Sequence, residues 1–329
     1  MSKAVTSGKK ALYTVLVPLI TLLFGFIAVE YGLHWLAEHR YGKGKLFEPD
    51  PVTGWRTLAN LEIQRLNPEG QPWHVITDEH GFRETSSWRQ EASTRLLILG
   101  DSLAFGQGVN IQDRFDMALM AKYPKLAVVN AGTMGYGPLQ QILRGQPFFP
   151  DLGAGDVLLL VTCSNDFMDI TRSMFAGRRK PRFYFSEENQ PIEELSGSKL
   201  IGSLRDKSYI ASRIIAYFFE DASFSPEAER EGLILYEALI RAKLLPLTDR
   251  GVRIMIGYYD YSNHQDNNDT LIQQTYNRIC SVERVDCILI NEAIDQKIGE
   301  SRHIFQDGHW NRAGNEAFAK LLIPLFGEN

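Results

Sequence analysis

The chain has 329 residues, enough for one large α/β domain with additional segments or for two small domains. Its apolar fraction of 44% and charged fraction of 23% are ordinary for a folded protein and exclude extensive disorder. The formal net charge of −5 excludes the overall basic character of a typical nucleic-acid-binding protein, so we expect no nucleic-acid partner.

The first predicted element is a membrane anchor. Residues 11–29 carry no charged side chain. At about 1.5 Å of rise per residue, a helix of this length crosses the roughly 30 Å hydrocarbon core of a bilayer. Three lysines lie among the first ten residues, so the positive-inside rule predicts a cytoplasmic tail at residues 1–10, a transmembrane helix at residues 11–36 and an extracytoplasmic remainder. We therefore expect a single-pass protein of the cell (inner) membrane with a periplasmic main domain.

Two other interpretations of this apolar segment stay open. A cleaved signal peptide also starts with positive charge, but its apolar core is usually shorter and ends at a small-x-small site, which residues 26–30 match poorly. A helix buried in a protein core is the other alternative, and the long stretch without a charge disfavours it.

Residues 37–90 are rich in proline and glycine and show little periodicity, which predicts an irregular or short-stranded segment. Trp55, Trp73 and Phe82 in this segment indicate that it packs on the main domain.

From residue 91 onward, short apolar runs alternate with segments of helical periodicity. Such runs are typical of buried parallel strands. Their alternation with helices predicts an α/β domain over residues 91–329, with a doubly wound, flavodoxin-like, mostly parallel five-stranded sheet and helices on both faces. The predicted strands are at residues 96–99, 126–129, 157–161, 252–256 and 287–290, and the clearest helices are at 115–121, 233–245 and 313–325, the last with Asn311 as its N-cap.

Residues 167–225 separate two predicted strands by more than one crossover needs and form an insert. A basic and aromatic stretch at residues 178–185 could belong to a lid or a substrate platform. We favour a solvated loop followed by one packed helix, because runs of charge are usually solvated.

The three cysteines are Cys163, Cys280 and Cys287. Cys163 lies in an apolar run and is expected to be a small buried residue. Outside the cytoplasm a bond between Cys280 and Cys287 is permitted, and both the bonded and the reduced state stay open. The spacing of the cysteines does not indicate a zinc site.

Ser102 follows the first predicted strand directly, at a turn from strand to helix. Such a position presents the hydroxyl at the edge of the sheet, beside a helix N-terminus that favours an anion. Near the C-terminus, Asp307 precedes His309 by two residues, so its carboxylate can orient the imidazole and leave Nε2 to accept a proton from serine. A metal site made of His303, Asp307 and His309 is the alternative, but it gives Ser102 no role.

Four short blocks resemble those of the SGNH (GDSL-like) hydrolase superfamily, which is named after serine, glycine, asparagine and histidine. Ser102 lies in Gly-Asp-Ser-Leu, Gly132 in Asn-Ala-Gly, Asn165 in Cys-Ser-Asn-Asp and His309 in Asp-Gly-His. The blocks occur in the family's order, and the resemblance covers residues 91–329.

The resemblance implies a role for each matched residue. Ser102 would be the nucleophile, with His309 as its base and Asp307 orienting that base. The backbone N–H groups of Ser102 and Gly132 and the side-chain amide of Asn165 would form the oxyanion hole. Neither a metal nor an organic cofactor is implied.

Two positions depart from the family pattern. Cys163 stands where the third block usually has glycine, and the fourth block has Asp-x-His where Asp-x-x-His is common. The Asp-x-His form resembles polysaccharide O-acetyltransferases of the same superfamily, which favours cell-surface glycan chemistry.

The sequence thus predicts a membrane-anchored serine esterase that acts on O-acyl, particularly O-acetyl, esters of carbohydrate. Three alternatives stay open. They are a polysaccharide O-acyltransferase, which would require a partner membrane protein, a lipid-directed esterase or thioesterase, and a non-catalytic glycan-binding module.

Overall fold

The computed structural model describes residues 2–83, 88, 92–186, 191–195, 203–205, 207–219, 226–260, 269–291, 293–294 and 304–326. The chain begins with the long helix α1, Ser2–Tyr41, which is longer at both ends than the anchor predicted at residues 11–36. Its part from Leu12 to Tyr41 is long and apolar enough to cross a membrane and contains an 18-residue window with a mean hydropathy of 2.4. The side chains of its apolar window are exposed, which excludes a buried core helix, whereas a signal sequence would meet the same criterion.

Two antiparallel hairpins follow α1 and cover the region predicted as irregular or short-stranded. The first pairs β1, Phe47–Asp50, with β2, Gly54–Thr57, and the second pairs β3, Glu62–Leu66, with β4, Pro72–Ile76. The aromatic side chains that predicted packing on the main domain, Trp55, Trp73 and Phe82, are all buried.

The predicted five-stranded parallel sheet is confirmed. Its strands are β5, Thr94–Gly100; β6, Leu126–Asn130; β7, Val157–Cys163; β12, Arg253–Tyr259; and β13, Val285–Leu289. From one edge to the other, the strand order is β13, β12, β7, β5, β6, and each neighbouring pair is parallel. In chain order this is the 2-1-3-4-5 arrangement of flavodoxin-like folds.

Helices cover both faces of the sheet because successive strand residues point to opposite sides. Leu97 and Leu99 of β5 belong to one buried apolar cluster, and Leu96 and Ile98 belong to the other. The first cluster includes residues of α4, Pro138–Gly145; α7, Pro226–Lys243; and α8, Asp269–Cys280. The second includes residues of α3, Phe115–Lys122, and α9, Arg312–Leu322.

The predicted helices are present with shifted ends. Helix α7 begins seven residues before the predicted start at residue 233, and α9 ends in a 3₁₀ turn over Ile323–Leu325. The Asn311 side chain accepts a hydrogen bond from the Gly314 N–H, which confirms it as the N-cap of α9.

The insert is more structured than predicted. It contains the short hairpin β8, Met174–Phe175, with β9, Arg178–Arg179, then the hairpin β10, Pro181–Phe185, with β11, Pro191–Leu195, and finally helix α6, Tyr209–Phe219. The prediction that residues 178–185 are solvated was wrong, because Lys180 and Phe183 are buried. Lys180 lies next to the buried carboxylate of Asp169, with Nζ 3.7 Å from Oδ1. An opposite charge nearby is what allows a lysine to be buried.

Cys280 and Cys287 form a disulfide, with their Cα atoms 5.9 Å apart. The bond joins the end of α8 to β13. Cys163, at the end of β7, is buried as the sequence predicts.

Candidate active site

The candidate active site starts where β5 ends. Gly100 is the last residue of that strand, and Ser102 opens the short helix α2, Ser102–Phe105. The side chain of Asp101 caps α2 by accepting a hydrogen bond from the Leu103 N–H at 3.0 Å. Because Ser102 is the first residue of the helix, its backbone N–H is one of those that have no acceptor within the helix.

His309 lies against Ser102, although 206 residues separate them in the chain. Its Nε2 atom is 2.7 Å from Ser102 Oγ, and its Nδ1 atom is 3.0 Å from Asp307 Oδ2. The backbone N–H of His309 also donates to Asp307 Oδ1 at 3.2 Å. The imidazole thus lies between the serine hydroxyl and the aspartate carboxylate, with one ring nitrogen next to each.

The Asp307 carboxyl is poised to remain ionised beside the imidazole. Partial burial opposes its ionisation, but the hydrogen bonds from the side chain and backbone of His309 and the electrostatic interaction with that residue outweigh burial and hold the pKa of Asp307 below its usual value. An ionised carboxylate next to Nδ1 favours the tautomer that carries its proton on Nδ1, and this leaves Nε2 as the acceptor beside the serine hydroxyl.

The residues predicted to form an oxyanion hole follow neighbouring strands at this same edge of the sheet. Gly132 follows β6 and Asn165 follows β7, and both strands pair with β5. The backbone of Gly132 packs closely against α2. A Cβ atom added at Gly132 would lie only 2.6 Å from the backbone nitrogen of Phe105. The fold therefore brings Gly132 to the helix that carries Ser102.

Gly132 and Asn165 both have an internal acceptor in this structure. The Gly132 N–H donates to Asn130 Oδ1 at 3.0 Å, and the Asn165 side-chain amide donates to Asp169 Oδ2 at 3.1 Å. An amide carries two N–H groups, so the bond to Asp169 fixes the Asn165 side chain and leaves it a second donor.

Asn130 belongs to the second block, and no role was predicted for it from the sequence. Its Nδ2 atom donates to the Ala104 carbonyl at 2.8 Å and to Asp116 Oδ2 at 3.1 Å. The side chain therefore ties the end of β6 to α2 and to the buried ion pair between Asp116 and Arg114.

Two buried carboxyls lie beneath the site. Asp101 Oδ1 lies 3.4 Å from the sulfur of Cys163, and Asp166 Oδ2 accepts the Cys163 N–H at 2.9 Å. Burial raises the pKa of Asp101, and burial together with the charge of Asp101 raises the pKa of Asp166 well above its usual value. Cys163, which stands where the third block usually has glycine, thus links the loop of Ser102 to that of Asn165.

Arg83 comes from the N-terminal segment and supports α2, the helix that begins with Ser102. Its guanidinium donates to the carbonyls of Phe105 at 3.1 Å and of Gly106 at 2.8 Å, which lie at the end of α2. It also donates to the His74 carbonyl of β4 at 2.8 Å. No local pattern in the sequence could identify this residue, because its partners are distant in the chain.

A polar groove of about 510 Å³ lies beside the loop that carries His309. We use this name for the surface between the β3–β4 hairpin, the loop after α2 and the start of α9. Its polar lining includes Asn67, Gln71, Asn110, Asn311 and Arg312.

The described residues contain no group of three or more His, Cys, Asp or Glu side chains that could hold a metal ion. His303, which the alternative metal site would require, lies outside the described residues.

No protein-family model matches the chain, and no curated protein matches it. Solved structures that match include a protein from Veillonella parvula DSM 2008, with 12% identity over 71% of this chain and 98% of that one and a TM-score of 0.41. Another is a putative lipolytic protein from Desulfitobacterium hafniense DCB-2, with 10% identity over 71% of this chain and 99% of that one and a TM-score of 0.41. Matches with such TM-scores add no evidence about activity. Both proteins are described as members of the lipolytic G-D-S-L family, which is the family that the four sequence blocks resemble.

Proposed function

We propose that this protein is a membrane-anchored serine esterase that hydrolyses O-acyl, particularly O-acetyl, esters of cell-surface carbohydrate. The observation that carries the proposal is the triad geometry, in which Ser102 Oγ lies 2.7 Å from His309 Nε2 and Asp307 Oδ2 lies 3.0 Å from His309 Nδ1. These distances are within the range required of a nucleophile, its base and an orienting carboxylate.

In this mechanism Ser102 Oγ attacks the ester carbonyl carbon while His309 takes the hydroxyl proton. The resulting imidazolium, stabilised by Asp307, returns the proton to the leaving alcohol, and an acyl group remains on Ser102. Water then attacks the acyl-enzyme with His309 again as the base. This second step releases the carboxylic acid and restores the serine.

The oxyanion would be stabilised by the N–H groups of Ser102 and Gly132 and by the Asn165 amide. Donors fixed in advance are each worth on the order of 3 kcal/mol to the transition state. The Gly132 N–H must turn from Asn130 Oδ1 toward the oxyanion, or be shared between the two, because Asn130 is its acceptor in the free enzyme.

The polar groove supports carbohydrate over lipid as the substrate class. A long acyl chain requires a mainly apolar channel, whereas amide and charged side chains suit the hydroxyl groups of a sugar. Asn311 and Arg312 line this groove and follow His309 in the chain by only two and three residues.

The proposed location is the extracytoplasmic side of the cell membrane, with α1 as an uncleaved anchor. The lysines that precede the apolar stretch favour a cytoplasmic N-terminus. The disulfide between Cys280 and Cys287 independently favours an oxidising compartment for the catalytic domain.

Transfer of the acyl group to a sugar hydroxyl is the second candidate function. Both reactions pass through the same acyl-Ser102, so the proposed triad is compatible with either. We favour hydrolysis, because one membrane helix is too little to bring an acyl donor across the bilayer and a transferase would need a partner membrane protein.

The proposal is tested by labelling the purified full-length protein with a fluorophosphonate and mapping the modified peptide. We expect the label on Ser102, no label on Ser102→Ala, and loss of p-nitrophenyl acetate hydrolysis in the same variant. Asn165→Ala should lower kcat by about 10²–10³ because it removes one oxyanion donor. Wild-type turnover in Ser102→Ala would show that the triad assignment is wrong.

Hydrolysis and transfer are distinguished by supplying an activated acetyl ester with and without oligosaccharide acceptors. Release of acetate at a rate that the acceptors do not change supports hydrolysis. Formation of acetylated sugar faster than free acetate would establish transfer instead.

A further inference from the structure

We infer that helix α6 lies in the membrane–water interface, with its exposed apolar face in the leaflet from which α1 emerges. Besides the anchor, the catalytic domain would then have a second membrane contact, made by its own insert. The inference rests on the membrane anchoring by α1 that is part of the proposed function.

The first argument is the depth at which α6 begins. Glu30 is the first charged residue after the uncharged stretch of α1, and it accepts hydrogen bonds at the start of α6. Its carboxylate binds Ser208 Oγ at 2.9 Å, the Tyr209 N–H at 2.6 Å and the Ile210 N–H at 3.1 Å. A carboxylate next to an apolar membrane span needs hydrogen-bond donors to stabilise its charge. The N-terminus of α6, which is the positive end of that helix, supplies them.

These bonds place the start of α6 on the bilayer side of the domain. The helix α1 meets the domain near Gly42, whose carbonyl accepts a hydrogen bond from Arg65 of β3 at 3.2 Å. Glu30 precedes Gly42 by twelve residues, which is about 18 Å along a helix axis. The start of α6 therefore lies at the level where the uncharged stretch of α1 ends.

The second argument is the division of α6 into two faces. Ile215 is buried, and it lies against the turn between β8 and β9, where a Cβ added to Gly177 would be 3.1 Å from Ile215 Cγ2. On the remaining surface, Ile214, Tyr217 and Phe218 are 51%, 82% and 70% exposed. A helix with one face on the domain and aromatic side chains on another is typical of interfacial membrane helices.

The neighbouring part of α1 indicates what covers this exposed face. Tyr31 and Trp35 of α1, which come shortly after Glu30, are 71% and 65% exposed. Tyrosine and tryptophan concentrate where a membrane helix leaves the hydrocarbon. Helix α6 begins beside this part of α1, with the rings of His34 and Tyr209 5.2 Å apart. The apolar face of α6 therefore continues the surface of α1, which faces lipid in the proposed anchoring. The structure thus favours a bilayer over a soluble partner as the occupant.

The test measures the depth of single fluorescent labels on the full-length protein. The single variants are Phe218→Cys and Tyr217→Cys in α6. Leu23→Cys in α1 is the embedded reference, and Ile234→Cys in α7 is the exposed reference. Leu23 and Ile234 are 57% and 55% exposed in the protein, so they match in accessibility. The native cysteines would not compete for a thiol-reactive dye, because Cys163 is buried and the other two form a disulfide.

Each variant would be labelled with a polarity-sensitive dye and reconstituted into vesicles of phosphatidylcholine and phosphatidylglycerol. The vesicles would contain lipids with a nitroxide quencher at a shallow or a deep position of the acyl chain. We expect shallow quenchers to act most strongly on labels at Phe218 and Tyr217, and deep quenchers to act most strongly on the label at Leu23. The label at Ile234 should respond to neither. Fluorophosphonate labelling of Ser102 at the wild-type level would show that each variant is folded.

The outcomes separate this inference from the proposed anchoring. Labels at Phe218 and Tyr217 that are quenched no more than the label at Ile234, while Leu23 is quenched, would overturn the inference and leave the anchoring intact. A label at Leu23 that escapes quenching would overturn both. Labels on α6 that are shielded from lipid quenchers and from aqueous iodide alike would assign this face to a protein partner, and the inference would be wrong.

Discussion

Replacing Gly132 with alanine should force apart the end of β6 and the helix that carries the nucleophile. The new Cβ would lie 2.6 Å from the backbone nitrogen of Phe105 and 2.7 Å from the carbonyl carbon of Ala104. Non-bonded carbon atoms prefer about 3.5–4.0 Å, so the two segments must separate by roughly 1 Å. Both neighbours are backbone atoms, which cannot move aside as a flexible side chain would.

Two separate effects follow from that displacement. Overpacking in a dense core costs about 1–3 kcal/mol of unfolding free energy. Loss of the Gly132 N–H as an oxyanion donor should lower kcat by about 10²–10³. Urea unfolding measures the first effect. Turnover of p-nitrophenyl acetate, at a temperature where the variant is fully folded, measures the second.

Gly153→Ala is the matched control, because a Cβ at Gly153 meets nothing within 4 Å. That variant should have wild-type turnover and a stability within about 0.5 kcal/mol of wild type. A wild-type unfolding midpoint in Gly132→Ala would refute the packing argument. Wild-type turnover would refute the oxyanion assignment of Gly132, whatever the stability of the variant.

Three further predictions concern the triad, a buried ion pair and the disulfide. Asp307→Asn should lower kcat by about 10⁴ with little change in KM, measured by steady-state kinetics, because the carboxylate that orients the base is lost. Asp116→Asn should destabilise the fold by about 3–5 kcal/mol in urea by leaving Arg114 buried without its partner. Burial opposes ionisation of Asp116, but the charge of Arg114 outweighs burial and lowers the pKa of Asp116. The stability that this ionised carboxylate contributes is therefore present above the pKa of Asp116 in the unfolded chain, and it is lost as the pH falls through the pKa in the folded protein. The urea midpoint should therefore fall on acidification more steeply in wild type than in Asp116→Asn. Reduction of the Cys280–Cys287 disulfide should lower the free energy of unfolding by about 2–3 kcal/mol in the chain-entropy account. Mass spectrometry that finds both thiols free in protein purified without reductant would contradict the bond.

The sheet could be predicted from the sequence because its strands are buried on both sides and read as continuous apolar runs. The position of Ser102 followed from the same pattern, since a residue directly after a parallel strand lies at the carboxyl edge of the sheet. The hairpins between Phe47 and Ile76 had no comparable signal, because each strand has only four or five residues and mixed burial.

The supports of the site could not be predicted, because they depend on contacts between distant segments. Arg83 binds the end of α2 from the N-terminal segment, and Asn130 holds both Gly132 and Asp116. Lys180 looked like part of a solvated charge run, but the fold buries it beside Asp169, which in turn holds the Asn165 amide. In each case the residue type permits many environments, and only the tertiary structure selects one.

The loop that carries Asp307 and His309 lets the carboxylate reach the imidazole across a single intervening residue. The loop folds back on itself, with the Phe305 N–H donating to the His309 carbonyl at 2.7 Å and the Gly308 N–H donating to the Phe305 carbonyl at 3.0 Å. Gly308 has a φ of +85°, a conformation that glycine adopts without steric cost. This turn lets Asp307 reach the backbone N–H and Nδ1 of His309 together. The left-handed turn at Gly308 thus allows the Asp307 carboxylate to contact both the backbone N–H and Nδ1 of His309.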